Sequence, residues 1–174
     1  MRTFVAMSVL VAVTSVAAAQ VRKTEMPGIR NFSRVDATVG CGGATEPSAM
    51  SALSGEGFKS VVNLRLPHED GANIDAGRAA AEKAGLNYIH LPFDASNPDP
   101  KVVDRFLAVV SDAANQPVYI HCASANRVGA VWMIKRVLRD GWAPDKAMQE
   151  AEAIGLSNPR LKTFASEYIA AHRK

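Results

Sequence analysis

Val118-Tyr119-Ile120-His121-Cys122-Ala123-Ser124-Ala125-Asn126-Arg127-Val128-Gly129-Ala130 is the stretch whose reading decides the fold of this chain. Its first residues form a short apolar run suited to a buried strand, and its last begin a helical pattern. Between them lie small residues that let a backbone curl close to a ligand. A strand-loop-helix junction of this kind binds anions. Backbone N–H groups turn into the loop, and the helix start adds unpaired donors and the positive end of its dipole. Cys122 falls at the base of this cradle, where the field favours thiolate, the species that attacks. Arg127 can grip two oxygens of a phosphate-like oxyanion through its planar fork. Cys122 and Arg127 are therefore the predicted catalytic residues. Ala123, Ser124, Ala125, Asn126 and Arg127 are the predicted substrate-binding loop. His121 precedes the nucleophile on the strand, so it is expected to point away and to orient the loop by hydrogen bonding.

Outward from this loop, short β-branched runs alternate with longer stretches of helical spacing, which argues an α/β fold. Strands are expected within residues 32–39, 58–64, 88–93 and 117–121. The spacing predicts helices from Thr45-Glu46-Pro47 to Gly55 or Gly57, over 75–84, from an Asn97-Pro98 cap to about Ala114, and over 128–139, 144–154 and from Asn158-Pro159 onward. Val102, Val103, Phe106, Leu107, Val109 and Val110 mark the buried face of the longest of these. Trp132 and Trp142 read as core residues.

At the other end of the chain, Met1-Arg2 precedes an apolar run from Phe4 to Val16 and then Ala17-Ala18-Ala19. That pattern predicts a secretory signal over 1–19 and a periplasmic or secreted protein, with no stable membrane insertion after cleavage. Residues 20–30 show no periodicity and read as an N-terminal arm, leaving 31–174 as one domain, expected to be a monomer. The formal charge of +3 is spread along the chain and aromatic residues are few, so no nucleic-acid partner is expected. No metal or other cofactor is predicted, because His90 and His172 have no carboxylate or cysteine at ligand spacing.

The chain resembles the phosphatase-like domain of bacterial beta-lactamase-hydrolase-like proteins, itself similar to dual-specificity and protein tyrosine phosphatases. Beyond the Cys122 to Arg127 loop, the resemblance is carried by Gly42-Gly43-Ala44-Thr45, residues 58–65 (Phe-Lys-Ser-Val-Val-Asn-Leu-Arg), Ile89-His90-Leu91-Pro92-Phe93-Asp94 and Asp140-Gly141-Trp142-Ala143-Pro144, and it spans about Asn31 to Leu156. It implies a four- to five-stranded, mainly parallel sheet flanked by helices. It also implies hydrolysis of a phosphorylated small molecule or phosphoprotein through a phosphocysteine intermediate. Two positions depart from the phosphatase pattern. Four residues separate Cys122 from Arg127 where tyrosine phosphatases usually have five, a spacing shared with many single-domain rhodaneses. Val128 stands where a serine or threonine commonly assists thiolate departure, and Ser124 is the substitute hydroxyl in the loop. A rhodanese-like sulfurtransferase using a Cys122 persulfide, and a non-catalytic oxyanion-binding module, are the alternative readings.

Ester hydrolysis also needs a proton for the leaving oxygen. Asp94 follows its strand directly and lies 28 residues before Cys122, a separation near that of the phosphatases it resembles, so it is the predicted general acid, with Asp99 in reserve. Cys41 is read as buried and unpaired, with a disulfide to Cys122 under oxidation as the alternative in an exported chain. His68-Glu69-Asp70-Gly71 reads as a polar turn and is given no role.

Overall fold

A computed structural model describes residues 21–173; the predicted signal segment therefore lies outside the described residues. Six strands form one sheet: β1 (Arg22–Lys23), β2 (Ser33–Arg34), β3 (Val39–Gly42), β4 (Ser60–Asn63), β5 (Asn87–His90) and β6 (Val118–His121). Their spatial order is β1-β2-β3-β6-β4-β5. The four strands β3, β6, β4 and β5 run parallel, whereas β1 and β2 pair antiparallel at one edge. The expected four to five strands thus become six. Arg22 pairs with Arg34 and Lys23 with Ser33, so the segment predicted to be an arm closes the edge of the sheet instead. Only two residues pair there, and so short a strand leaves no periodicity to detect.

Six α-helices cover the sheet: α1 (Met50–Gly55), α2 (Ile74–Lys83), α3 (Pro100–Ser111), α4 (Asn126–Leu138), α5 (Pro144–Ile154) and α6 (Pro159–His172). Alternation along β6 sends Val118 and Ile120 into a large cluster with Val103, Phe106, Trp132, Ile134 and Leu161. Tyr119 goes the other way, to Met50, Leu53, Phe58 and Leu86. With both faces covered, the central strands are buried throughout, which is why their sequences lack polar alternation. Among the described residues no helix is long and apolar enough to cross a membrane.

Several helix starts differ from expectation for a local reason. Asp99, rather than Asn97, caps α3 by accepting the Lys101 N–H at 2.9 Å, so that helix begins at Pro100. Thr45 does not cap the first helix; its hydroxyl is shared with Tyr119 Oη at 2.8 Å and the Gly43 carbonyl at 3.1 Å. Asn158 does cap α6, accepting from the N–H groups of Arg160 and Leu161. Trp132 is buried and accepts cation stacking from Arg136, whose guanidinium also lies 4.4 Å from the Trp142 ring. Trp142 is half-buried and packs against the core edge.

Candidate active site

β6 is inserted between β3 and β4, so the β3-to-β4 connection passes over its place before it is made, and the chain returns from β5 over β4 to fill it. In open α/β sheets the crevice at the carboxyl ends of such strands is where ligands bind. Cys122 follows β6 directly at that end, and its own N–H donates to Gly42 O at 3.3 Å. The next residues leave the sheet. Ala125 takes a left-handed conformation (φ 69°) and starts α4, which turns the loop back on itself. Among the described residues, none of the backbone N–H groups from Ala123 to Val128 has a hydrogen-bond acceptor. A run of six unpaired amides at the start of a thirteen-residue helix is a concentrated set of donors for an oxyanion.

Close packing holds the loop from behind. Ala44 N–H donates to Ala123 O at 2.9 Å, and a Cβ placed on Gly43 would come within 3.0 Å of that same carbonyl oxygen. Gly155, at φ 144°, lies where a Cβ would meet the Ala125 methyl at 2.9 Å. The Asn126 carboxamide is engaged with the start of α6 and with Ser124. Its Oδ1 accepts from the N–H groups of Ser157 (2.7 Å) and Asn158 (2.8 Å), and its Nδ2 donates to Ser124 Oγ at 3.3 Å. Asn126 therefore offers the cradle its backbone N–H and ties the loop to the start of α6. Val128 is fully buried and supplies no hydroxyl.

Arg127 is 8 % exposed and is held at four points. One terminal nitrogen donates to the carbonyls of Leu64 (3.1 Å) and Phe93 (3.2 Å) and to Glu69 Oε1, and the other donates to Glu69 Oε2 at 2.8 Å. Glu69 also receives Arg65 Nε at 3.2 Å and the Leu66 N–H at 2.7 Å. Burial alone would raise the Glu69 carboxyl, but hydrogen bonds from Arg127 and Leu66, with Arg65 behind them, hold it at about 2. Burial likewise opposes the Arg127 charge, and Glu69 and the adjacent Cys122 outweigh it, keeping the guanidinium above its ordinary value. Glu69 was missed because a His-Glu-Asp-Gly turn has an ordinary loop composition. The signal available was that an arginine buried beside a nucleophile needs a carboxylate partner.

Asp94 and Arg127 line the same depression of about 300 Å³, together with Glu69, Ser124, Asn126 and Asn158. Asp94 Oδ1 accepts the Ser96 N–H at 2.7 Å. Asp99 does not line this depression, and its carboxylate is committed to capping α3. Cys122 is 1 % exposed and does not itself line the depression. Roomier hollows of about 530 and 580 Å³, the first around Arg34 to Ala37 and Pro117 and the second along residues 23–32, touch none of the predicted site residues, so volume alone does not locate the chemistry. His121 does point away from Cys122, stacking on Tyr119 at 5.8 Å. The expected hydrogen bonds are not made: both ring nitrogens are buried without a partner among the described residues. Burial, helped by the Arg65 charge, lowers His121 to about 3, with the backbone of Cys122 and Gly43 opposing the shift in part. The imidazole is neutral and packs rather than tethers.

Cys41 is buried on β3, in register with Ile120, two residues short of Cys122, and both thiols are free. Burial, with Glu150 and Asp36 nearby, pushes the Cys41 thiol well up, which keeps it protonated and inert.

Solved structures with a similar fold include a provisionally assigned phosphatase from Shewanella putrefaciens CN-32. It is 23% identical, with a TM-score of 0.70 over 84% of this chain and 94% of that one. TpbA of P. aeruginosa is 24% identical, with a TM-score of 0.66 over 90% and 92% of the two chains. The core catalytic domain of the PP-IP phosphatase SIW14 of S. cerevisiae is 20% identical, with a TM-score of 0.66 over 80% and 85%. A probable chloroplastic NAD kinase 2 of rice (Oryza sativa subsp. japonica) is 30% identical over 82 residues, 46% of this chain but only 8% of that protein. The model of one family matches residues 32–139, from the β2 edge to the end of α4, and so takes in the cradle, Glu69 and Asp94 together: the chain belongs to the beta-lactamase hydrolase-like protein, phosphatase-like domain family.

Proposed function

We propose that this chain is a cysteine-dependent phosphatase of the tyrosine or dual-specificity type, hydrolysing phosphate monoesters through a phosphocysteine at Cys122. The observation that carries the reading is that Arg127, the Asp94 carboxyl and the loop residues Ser124 and Asn126 line one shallow depression, on a loop whose six amides from Ala123 to Val128 have no acceptor among the described residues and which follows Cys122 directly. In the first step the Cys122 thiolate attacks phosphorus, the bond from phosphorus to the ester oxygen breaks, and Asp94 gives its proton to the leaving oxygen. Loop amides and Arg127 stabilise the charge on the three equatorial oxygens. In the second step Asp94, now a carboxylate, takes a proton from water as that water attacks phosphorus. The sulfur–phosphorus bond breaks and the thiolate is restored. With Val128 in place of a hydroxyl residue, the departing thiolate relies on the loop amides and Arg127.

The relatives lend support: TpbA is seen in complex with phosphotyrosine, and the yeast neighbour is a PP-IP phosphatase. Both accept phosphate groups on different scaffolds, in keeping with a loop that recognises the oxyanion more than what carries it. We also propose export, with residues 1–19 as the signal. The spacing of four residues between Cys122 and Arg127 favours one competing reading, sulfur transfer through a persulfide, which needs the same cradle but no acid. Asp94→Asn separates the two. Phosphatase chemistry predicts a loss of about a hundredfold in phenyl phosphate hydrolysis, whose leaving group needs the proton, whereas thiosulfate-to-cyanide transfer that survives the substitution, with no hydrolysis in the wild type, would replace this reading with the other.

A further inference from the structure

The segment that carries Asp94 has few attachments of its own. Between Ala95 and Pro98 no backbone hydrogen bond is made among the described residues, and the one local contact is the Ser96 N–H to Asp94 Oδ1. Its two ends are held from outside by guanidinium groups. Arg127 donates to Phe93 O at 3.2 Å immediately before Asp94, and Arg160 donates through a terminal nitrogen to Ser96 O at 2.9 Å just after it. Arg160 is exposed on the first turn of α6, and that turn is fastened to the nucleophile loop. Asn126 Oδ1 accepts the N–H groups of Ser157 and Asn158, and Asn158 in turn caps the helix through the Arg160 and Leu161 N–H groups. A continuous circuit therefore runs from the cradle through Asn126 and Asn158 to Arg160, and back across to the carbonyl beside the acid.

We infer that Arg160 is a positioning residue that latches the Asp94 segment to the start of α6 and so sets the reach of the general acid over the cradle. The inference rests on the reading of Asp94 as the acid. Arg160 has no contact with Cys122 or Arg127 among the described residues and lies off the depression, so it acts on the proton donor rather than on phosphate. The chemistry gives this a distinctive signature. A leaving group as good as 4-nitrophenolate departs with little help from an acid, whereas phenolate needs the proton. Loosening the latch should therefore slow poor leaving groups selectively.

The experiment compares kcat and KM for 4-nitrophenyl phosphate and phenyl phosphate in wild type, Arg160→Ala, Arg160→Lys, Asp94→Asn and the double variant Asp94→Asn with Arg160→Ala. Arg160→Ala should lower kcat/KM on phenyl phosphate, which reports the step in which the leaving group departs, by about threefold to tenfold, the worth of one charge-assisted hydrogen bond at a solvated position, and change kcat/KM on 4-nitrophenyl phosphate by less than about twofold. Arg160→Lys, which keeps a cationic donor, should restore most of the phenyl rate. In the Asp94→Asn background Arg160→Ala should have no further effect, because a residue that acts through the acid loses its influence when the acid is gone. Equal losses on both substrates or full additivity with Asp94→Asn would each overturn the inference while leaving the phosphatase reading intact. If Asp94→Asn itself lowers kcat/KM on the two substrates equally, Asp94 is not the acid and both fall.

Discussion

Glu69→Gln is the substitution through which the buried charges of the site can be weighed. Glu69 accepts a two-pronged contact from Arg127 and a further bond from Arg65, two cations that are themselves almost fully buried. Its carboxyl sits at about 2 in the fold against an ordinary 4.5, a difference that corresponds to about 3 kcal/mol if solvent is ignored. The side chain is 20% exposed at the mouth of the depression, and screening there brings the expected figure to about 1.5 kcal/mol. The sign follows from proton uptake. The folded pKa lies below the unfolded one, so the stabilisation is complete above about pH 4.5 and is lost as the pH falls toward about 2. Urea unfolding of wild type and variant at pH 7, 4 and 2.5 measures the difference directly, and subtracting the curves cancels every group that titrates alike in both. The variant should be less stable by about 1.5 kcal/mol at pH 7, with the gap closing steadily below pH 4.5. Its kcat/KM on aryl phosphate should fall by about tenfold or more, because Arg127 loses the partner that fixes its fork. A stability gap that is absent at pH 7, or one that persists unchanged at pH 2.5, would refute the electrostatic account of this pair.

Three further outcomes are expected. His121 is neutral in the fold with its pKa lowered to about 3, so the unfolded chain binds the proton first and stability drains away as the pH falls from about 6.5 toward 3. His121→Phe, which keeps a ring against Tyr119, should flatten that decline, and at pH 4 thermal or urea unfolding should show the variant gaining on the order of 2 kcal/mol relative to its pH 7 difference. Gly155→Ala should destabilise by about 1–3 kcal/mol, since φ 144° is strained for alanine and the new methyl would press on Ala125; a smaller change in urea unfolding contradicts the packing described behind the loop. Mass spectrometry of protein purified without reductant should find both Cys41 and Cys122 as free thiols, because the β3 to β6 register offsets them by two residues and a disulfide needs Cα atoms within about 7 Å.

Much of this molecule can be read from its sequence because the informative signals are local. The Pro144–Ile154 helix has its proline and its terminating glycine in place, and the cradle announces itself through a cysteine, four small or polar residues and an arginine between a strand and a helix. Asp94 was legible from its place after β5, and the structure brings it to the same depression as Arg127. What escaped depends on contacts distant in sequence. Glu69 meets Arg127 across 58 positions, and Arg160 meets Ser96 O across 64. Neither partner carries a local mark, since a glutamate in a turn and an arginine in a first helical turn are ordinary solvated residues. The contacts of the Asn126 side chain are hidden for a related reason. Its place in the loop is evident, but the direction of its carboxamide is set by backbone amides at Ser157 and Asn158. The β1 edge was lost because two paired residues leave no pattern.

The account stands most directly on the identity of the group that Cys122 carries during turnover. Acid-quenching the reduced, signal-free protein during hydrolysis of an aryl phosphate, and mapping the Cys122 peptide by mass spectrometry, reads that group. The account predicts a phosphoryl adduct on Cys122 in the wild type, and neither adduct nor turnover in Cys122→Ser. An unmodified Cys122 peptide with no phosphate released, beside a persulfide on the same cysteine after incubation with thiosulfate, would contradict it.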